Sequence, residues 1–106
     1  MGELLVDLEQ TLQSAEELVS RGRPHFDSDP AMPLAFEALS NRVGEVAKLL
    51  TQLAPHRFSE PMWSLAAKNR DKIVHHYNTI DKDVLWSTVA ISFPQLRELA
   101  NSKRSL

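Results

Sequence analysis

The sequence predicts an all-α fold, an antiparallel bundle of four helices with room for a fifth. Three observations carry this expectation. Apolar residues recur at spacings of three and four along four separate stretches. Gly, Pro, Asn or Asp closes each stretch. No segment shows strand alternation, an internal repeat or low complexity. The 106 residues fit one domain with one modest core. Short connections between such helices fold them back antiparallel.

The first helix is expected over about residues 3–21, where Leu4, Leu5, Leu8, Leu12, Ala15, Leu18 and Val19 share a face. Arg21-Gly22 supplies a basic last turn and a stop. Residues 22–30 read as a loop, broken by Gly22, Pro24 and Pro30, with Asp29 placed to start the next helix. That second helix runs from about 30 to 53, with Phe36, Leu39, Val43, Val46, Ala47 and Leu50 as its apolar stripe. Gly44 sits in its middle, at a cost of about 1 kcal/mol relative to Ala, which points to close approach of a neighbouring helix or a mild bend.

The third helix begins near Ser59-Glu60-Pro61, with Ser59 as its N-cap. Trp63, Ala66, Ala67, Ile73 and Val74 form its inner face, and residues 78–81 form the turn after it. The fourth starts near Asp81 and turns Leu85, Val89 and Phe93 inward, with Trp86 beside them. Pro94 should kink or interrupt it, because proline removes a backbone bond and clashes with the preceding turn. Ser92 is placed to recap a final segment carrying Leu96, Leu99 and Ala100. Residues 101–106 read as a polar, frayed tail.

Hydrophobic content of 42% and charged content of 25% are ordinary for a globular chain, and no apolar run reaches the length of a membrane span. Glu3 stands where a signal peptide would be basic, so a cytoplasmic protein is expected. The absence of cysteine excludes disulfide frameworks and thiolate metal sites. A net charge of −2 argues against a general nucleic-acid binder and leaves room for a small basic site that engages a few phosphates.

Chemistry concentrates in residues 69–77, Asn69-Arg70-Asp71-Lys72-Ile73-Val74-His75-His76-Tyr77. A guanidinium, an ammonium, two imidazoles and a phenol fall within nine residues. Positions five apart stand about 140° apart around a straight helix. Arg70 and His75 therefore share a site only if the helix ends or unwinds near His75, or if a second subunit contributes.

The pattern Arg70-x4-His75-x-Tyr77 resembles the signature of HepT-like HEPN domains. Val43-Gly44-Glu45-Val46-Ala47-Lys48 resembles that family's Ile-Gly-Glu-Ala-Ala-Lys segment, and Trp63 its tryptophan upstream of the motif. Ile80-Asp81, Val84-Leu85-Trp86 and Phe93-Pro94-Gln95-Leu96 resemble its last helix, so the likeness spans roughly residues 25–100. The first helix carries none of it. The resemblance implies a HEPN-like bundle that forms a homodimer, with Arg70 and His75 of both subunits converging on one cleft as catalytic residues. It implies metal-independent RNA cleavage with no cofactor. It also implies pairing with an MntA-like nucleotidyltransferase antitoxin, which places AMP on Tyr77 and silences the toxin.

In that scheme His75 serves as acid or base near neutral pH, and Arg70 forks onto the phosphate. Asp71 orients Arg70 or a 2′-hydroxyl, and Asn69, Lys72 and His76 support the site. Lys48, Lys68 and Lys72 are placed to form a basic rim, with plain solubility as the alternative reading. Plainer readings stand beside these. Arg70 can pair with Asp71 or Glu45, His75 can be an interface histidine, and Tyr77 can be half-buried core. Adjacent His75 and His76 point apart on a helix and make a poor metal site. His25 and His56 read as solvated loop residues, and Trp63 and Trp86 as core. A non-catalytic dimer that binds the nucleotidyltransferase is the alternative function, and a plain helical adaptor is a third.

Overall fold

The computed structural model describes residues 2–76 and 81–104, and only the backbone of residues 71–76. The described residues contain helices and no strand. In chain order these are α1 (Gly2–Val19), α2 (Arg23–Ser28), α3 (Ala31–Leu53), α4 (Pro61–His76), α5 (Lys82–Ser87), a π-helical turn (Thr88–Ser92) and α6 (Phe93–Arg104). The last three join without a break into one long helix. The all-α expectation holds: α1, α3, α4 and this composite helix form the bundle, and α2 is the additional short element. Twenty-three residues at 1.5 Å per residue make α3 about 35 Å long. It is the spine of a molecule 41 Å in its longest dimension.

The core is built where the apolar spacing put it. Leu5, Leu8, Leu12 and Ala15 come from α1, and Phe36, Val43, Val46, Ala47 and Leu50 from α3. Trp63, Leu85, Val89, Phe93 and Leu96 close it. Gly22 ends α1 at φ 90°, a left-handed conformation that strains any residue with a Cβ.

Residues 22–30 differ from the expected loop: Arg23–Ser28 is a turn and a half of helix. Pro24 in its first turn tolerates helix, Arg23 Nε donates to Asp27 at 2.8 Å, and Phe26 is fully buried. The Phe26 ring lies 4.7 Å from Phe36 and 5.3 Å from Trp86, so the helix is held by tertiary packing that local signals do not reveal. His25 consequently lies on a helix, 3.7 Å from Asp29, rather than in a loop. The Asp29 carboxylate accepts from the Ala31 N–H at 3.0 Å and starts α3 as expected.

Glu60, not Ser59, immediately precedes α4. Its carboxylate accepts from Trp63 Nε1 at 2.9 Å and from Lys103 Nζ at 2.7 Å. Lys103 and these bonds hold the Glu60 carboxyl below its ordinary value near 4.5. A depressed carboxyl contributes stability above its unfolded pKa and loses it as pH falls through the folded one. The melting-temperature deficit of Glu60→Gln should therefore be present at neutral pH and shrink below about pH 4; a deficit independent of pH would contradict this.

Asp81 caps α5, its side chain accepting from the Asp83 N–H at 2.7 Å. Pro94 does not interrupt the composite helix. The preceding turn widens instead, and the Phe93 N–H donates to Thr88 O, five residues back. The wider π turn relieves the clash that the proline ring would make with a regular α turn. Ser92 lies within this turn and not at a new cap. The expected frayed tail is helical through Arg104: Arg57 donates to Lys103 O at 2.6 Å, and Arg104 pairs with Glu9 of α1.

Candidate functional site

Helices α3 and α4 are joined by residues 54–60 and pack antiparallel along their length. The two helices come close at Gly44. A Cβ placed there would stand 2.1 Å from Arg70 Cβ and 2.7 Å from the Ala66 carbonyl oxygen. No heavier residue fits without moving α4, which is the physical reason for a helix-weakening glycine in mid-helix. The close approach inferred from sequence is thus found, and the residue it seats is Arg70.

Arg70 is partly buried, with its Nε shielded from solvent. Its Cβ and Cγ lie against the α3 backbone at Gly44, which restricts the root of the side chain before the head group binds an anion. Lys48 and Lys68 are exposed, and Asn69 is half-buried. Glu45, weighed as a partner of Arg70, is exposed and lies 3.8 Å from Arg42 of its own helix.

The backbone of α4 is helical through His76, so the chain does not unwind before His75. Positions 70 and 75 thus stand about 140° apart around one continuous helix. The side chains of Asp71, Lys72, Ile73, Val74, His75 and His76, and all of Tyr77, lie outside the described residues, as does the expected turn at 78–80.

Trp63 is fully buried, its ring edge-on to Phe58 at 5.0 Å, and Trp86 stacks on Phe36 at 5.8 Å. Both are core rather than base-stacking platforms. His56 is exposed in the α3–α4 connection. A groove of about 690 Å³ lies at the other end of α4, lined by Met62, Leu65 and Leu99 with Glu60 and Glu98 at its rim. Its lining carries carboxylates and no cation, which suits a phosphate chain poorly.

Sequence reading missed three polar residues of α3 on the side of Arg70. Glu37, Ser40 and Asn41 precede Gly44 by seven, four and three residues, the spacing of one helical face. Because the helices run antiparallel, these positions follow α4 from Arg70 toward His76. Glu37 is half-buried, and desolvation raises its carboxyl pKa. The signal was available as polar residues recurring at helical spacing beside a buried glycine.

The family model described as Ribonuclease HepT-like matches residues 8–102 of the chain. The chain belongs to the HepT-like ribonuclease family. A curated relative from Caldanaerobacter subterraneus subsp. tengcongensis, named as a candidate RNase, is 30% identical over 95 residues, which cover 86% of this chain and 85% of that protein. No solved structure matches the chain. The HepT-like match reaches into α1 from residue 8 on, a helix which the motif resemblance had left out. RNA cleavage is the activity class of the family. Among the described residues no helix is long and apolar enough to cross a membrane.

Proposed function

We propose that this HepT-like chain is the ribonuclease toxin of a HepT/MntA-type pair, cutting RNA without a metal through Arg70 and His75. The observation that carries the reading is the seating of Arg70 against Gly44, an arginine packed on the α3 backbone at the start of the Arg-x4-His-x-Tyr motif.

The chemistry needs three things. A base removes the proton from a 2′-hydroxyl, whose oxygen attacks the adjacent phosphorus. An acid delivers a proton to the departing 5′-oxygen. A fixed cation balances the charge that grows on the non-bridging oxygens. Imidazoles of His75 supply base and acid, and the Arg70 guanidinium supplies the cation. Positions 70 and 75 diverge on one helix, so the site is composite: a homodimer brings Arg70 of one copy near His75 of the other, and two imidazoles to one cleft. Asp71 orients these groups, and Asn69, Lys72 and His76 line the approach. The antitoxin, an MntA-like nucleotidyltransferase, takes AMP from ATP: the Tyr77 phenol oxygen gives up its proton and attacks the α-phosphorus, and pyrophosphate leaves. That modification sets a bulky anion beside the cleft and repels RNA. The site of action is the cytoplasm.

Attack by the 2′-oxygen leaves a 2′,3′-cyclic phosphate on one product and a 5′-hydroxyl on the other. Mass analysis of the fragments should find those ends, and 2′-O-methyl RNA should resist cleavage. Products with 5′-phosphates would contradict the mechanism. A protein that is monomeric by sedimentation at micromolar concentration would contradict the composite site.

A further inference from the structure

The α3 side of the seam holds two unsatisfied polar atoms. Asn41 Oδ1 and Ser40 Oγ are both shielded from solvent, and neither has a hydrogen-bond partner. Ser40 is 2% exposed. Buried polar atoms almost always have partners, so two exceptions on adjacent residues mark a place where a donor is to be supplied. They lie one turn from Gly44, over which the Arg70 Cβ and Cγ are stacked. Residues three or four apart on a helix have Cβ atoms roughly 5–6 Å from each other, well within the reach of an arginine side chain seated on that turn.

The chemistry of the pair is complementary. A carboxamide oxygen can only accept, whereas a guanidinium carries five donors and no acceptor. Arg70 is the one arginine on α4. Among the described residues, the lysines nearest it, Lys48 and Lys68, are exposed, and the side chain of Lys72 lies outside the described residues.

We infer that Asn41 is a positioning residue for Arg70, its carboxamide oxygen accepting a guanidinium N–H when the site holds a phosphate. The inference rests on the reading of Arg70 as the phosphate-binding group. One edge of the guanidinium fork faces the substrate, and another is held by Asn41, so the plane of the fork is fixed. Without that second bond the guanidinium can still meet a phosphate, but its plane is free to rotate away from the charge that develops during attack. Loss of Asn41 therefore lowers kcat more than it raises KM.

The test compares wild type with Asn41→Leu, which keeps the volume and removes the acceptor, and Asn41→Asp, which keeps an acceptor oxygen. Arginine Nε–H resonances are recorded on ¹⁵N-labelled protein, with the Arg70 signal assigned by its absence in Arg70→Lys. Spectra are taken alone and with a 2′-O-methyl RNA oligonucleotide, which is not cut. The Arg70 signal should shift on adding the oligonucleotide, and shift differently in Asn41→Leu. In cleavage of ordinary RNA, Asn41→Leu should lose about tenfold or more in kcat with KM within about threefold, the scale of one hydrogen bond to a charged group. Asn41→Asp should restore most of the rate. An Arg70 signal identical in wild type and Asn41→Leu under both conditions would overturn the inference. So would equal rate losses in the Leu and Asp variants. If wild type cuts no RNA, the cleavage reading fails separately, and the Arg70 resonance alone decides the role of Asn41.

Discussion

Gly44→Ala lowers the melting temperature by roughly 5–15 °C. Two effects oppose each other, and their sizes decide the sign. Alanine is a better helix former than glycine by about 1 kcal/mol, so on an open helix surface the substitution would stabilise. Here the new methyl would stand 2.1 Å from Arg70 Cβ and 2.7 Å from a backbone carbonyl oxygen. Neither atom is the far end of a flexible side chain, so α4 must shift as a body. Overpacking of this kind costs about 1–3 kcal/mol, and more where backbone has to move. A shift of backbone puts the cost in the upper part of that range, which leaves a net loss of about 1–2 kcal/mol after the helix gain; at about 4–8 °C per kcal/mol for a domain near this size, that is the stated range. Gly44→Val, with two further methyl groups, should fall lower still. RNA cleavage should drop with the shift, because displacement of a catalytic group by about 1 Å can cost on the order of 100-fold. Scanning calorimetry checks the first part, and a rise in melting temperature for Gly44→Ala would contradict the close seam.

Arg70→Ala should reduce RNA cleavage by about 100- to 1,000-fold while leaving the fold intact. The loss is that of one fixed cation aimed at developing charge. The Arg70 stem packs on Gly44, so truncation removes some contact, but it leaves no buried cation without a partner. Arg70→Lys should rescue little, since an ammonium offers neither the planar fork nor the donor directed back at α3. Rates measured alongside melting curves separate the two effects. A lysine variant with wild-type activity would show that Arg70 acts as a plain positive charge and not as an oriented fork.

Much of the fold could be read from the sequence because helix periodicity and end signals are local. The stripe of α3, the stop at Gly22 and the cap at Asp81 all depend on residues within a turn or two of each other. The α2 helix escaped because six residues with two nearby prolines have weak intrinsic preference; Phe26 settles the matter through Phe36 and Trp86, distant in sequence. The π turn escaped for a similar reason. Pro94 announces a conflict with regular helix, but whether the chain breaks, kinks or widens depends on what Phe93 and Leu96 gain by staying buried.

The candidate site divides the same way. Arg70 stood out by its neighbours in the chain, and Gly44 announced a close approach. That the two are the same contact required the pairing of α3 with α4. Asn41 and Ser40 carried no motif, and their meaning lies in two unpartnered atoms that only packing exposes. The separation of positions 70 and 75 around the helix was computable from the sequence. α4 is helical through His76, so positions 70 and 75 stand on one helix, and the second subunit is the route proposed above for bringing them together.

The most direct measurement is digestion of a mixed RNA by purified protein in excess chelator, after intact-mass analysis has confirmed that Tyr77 carries no AMP. The account predicts cleavage by the wild type and its loss in both Arg70→Ala and His75→Ala. An unmodified, folded wild type that leaves every RNA intact would contradict it, and would make the chain a nucleotidyltransferase-binding module that keeps the bundle without the activity.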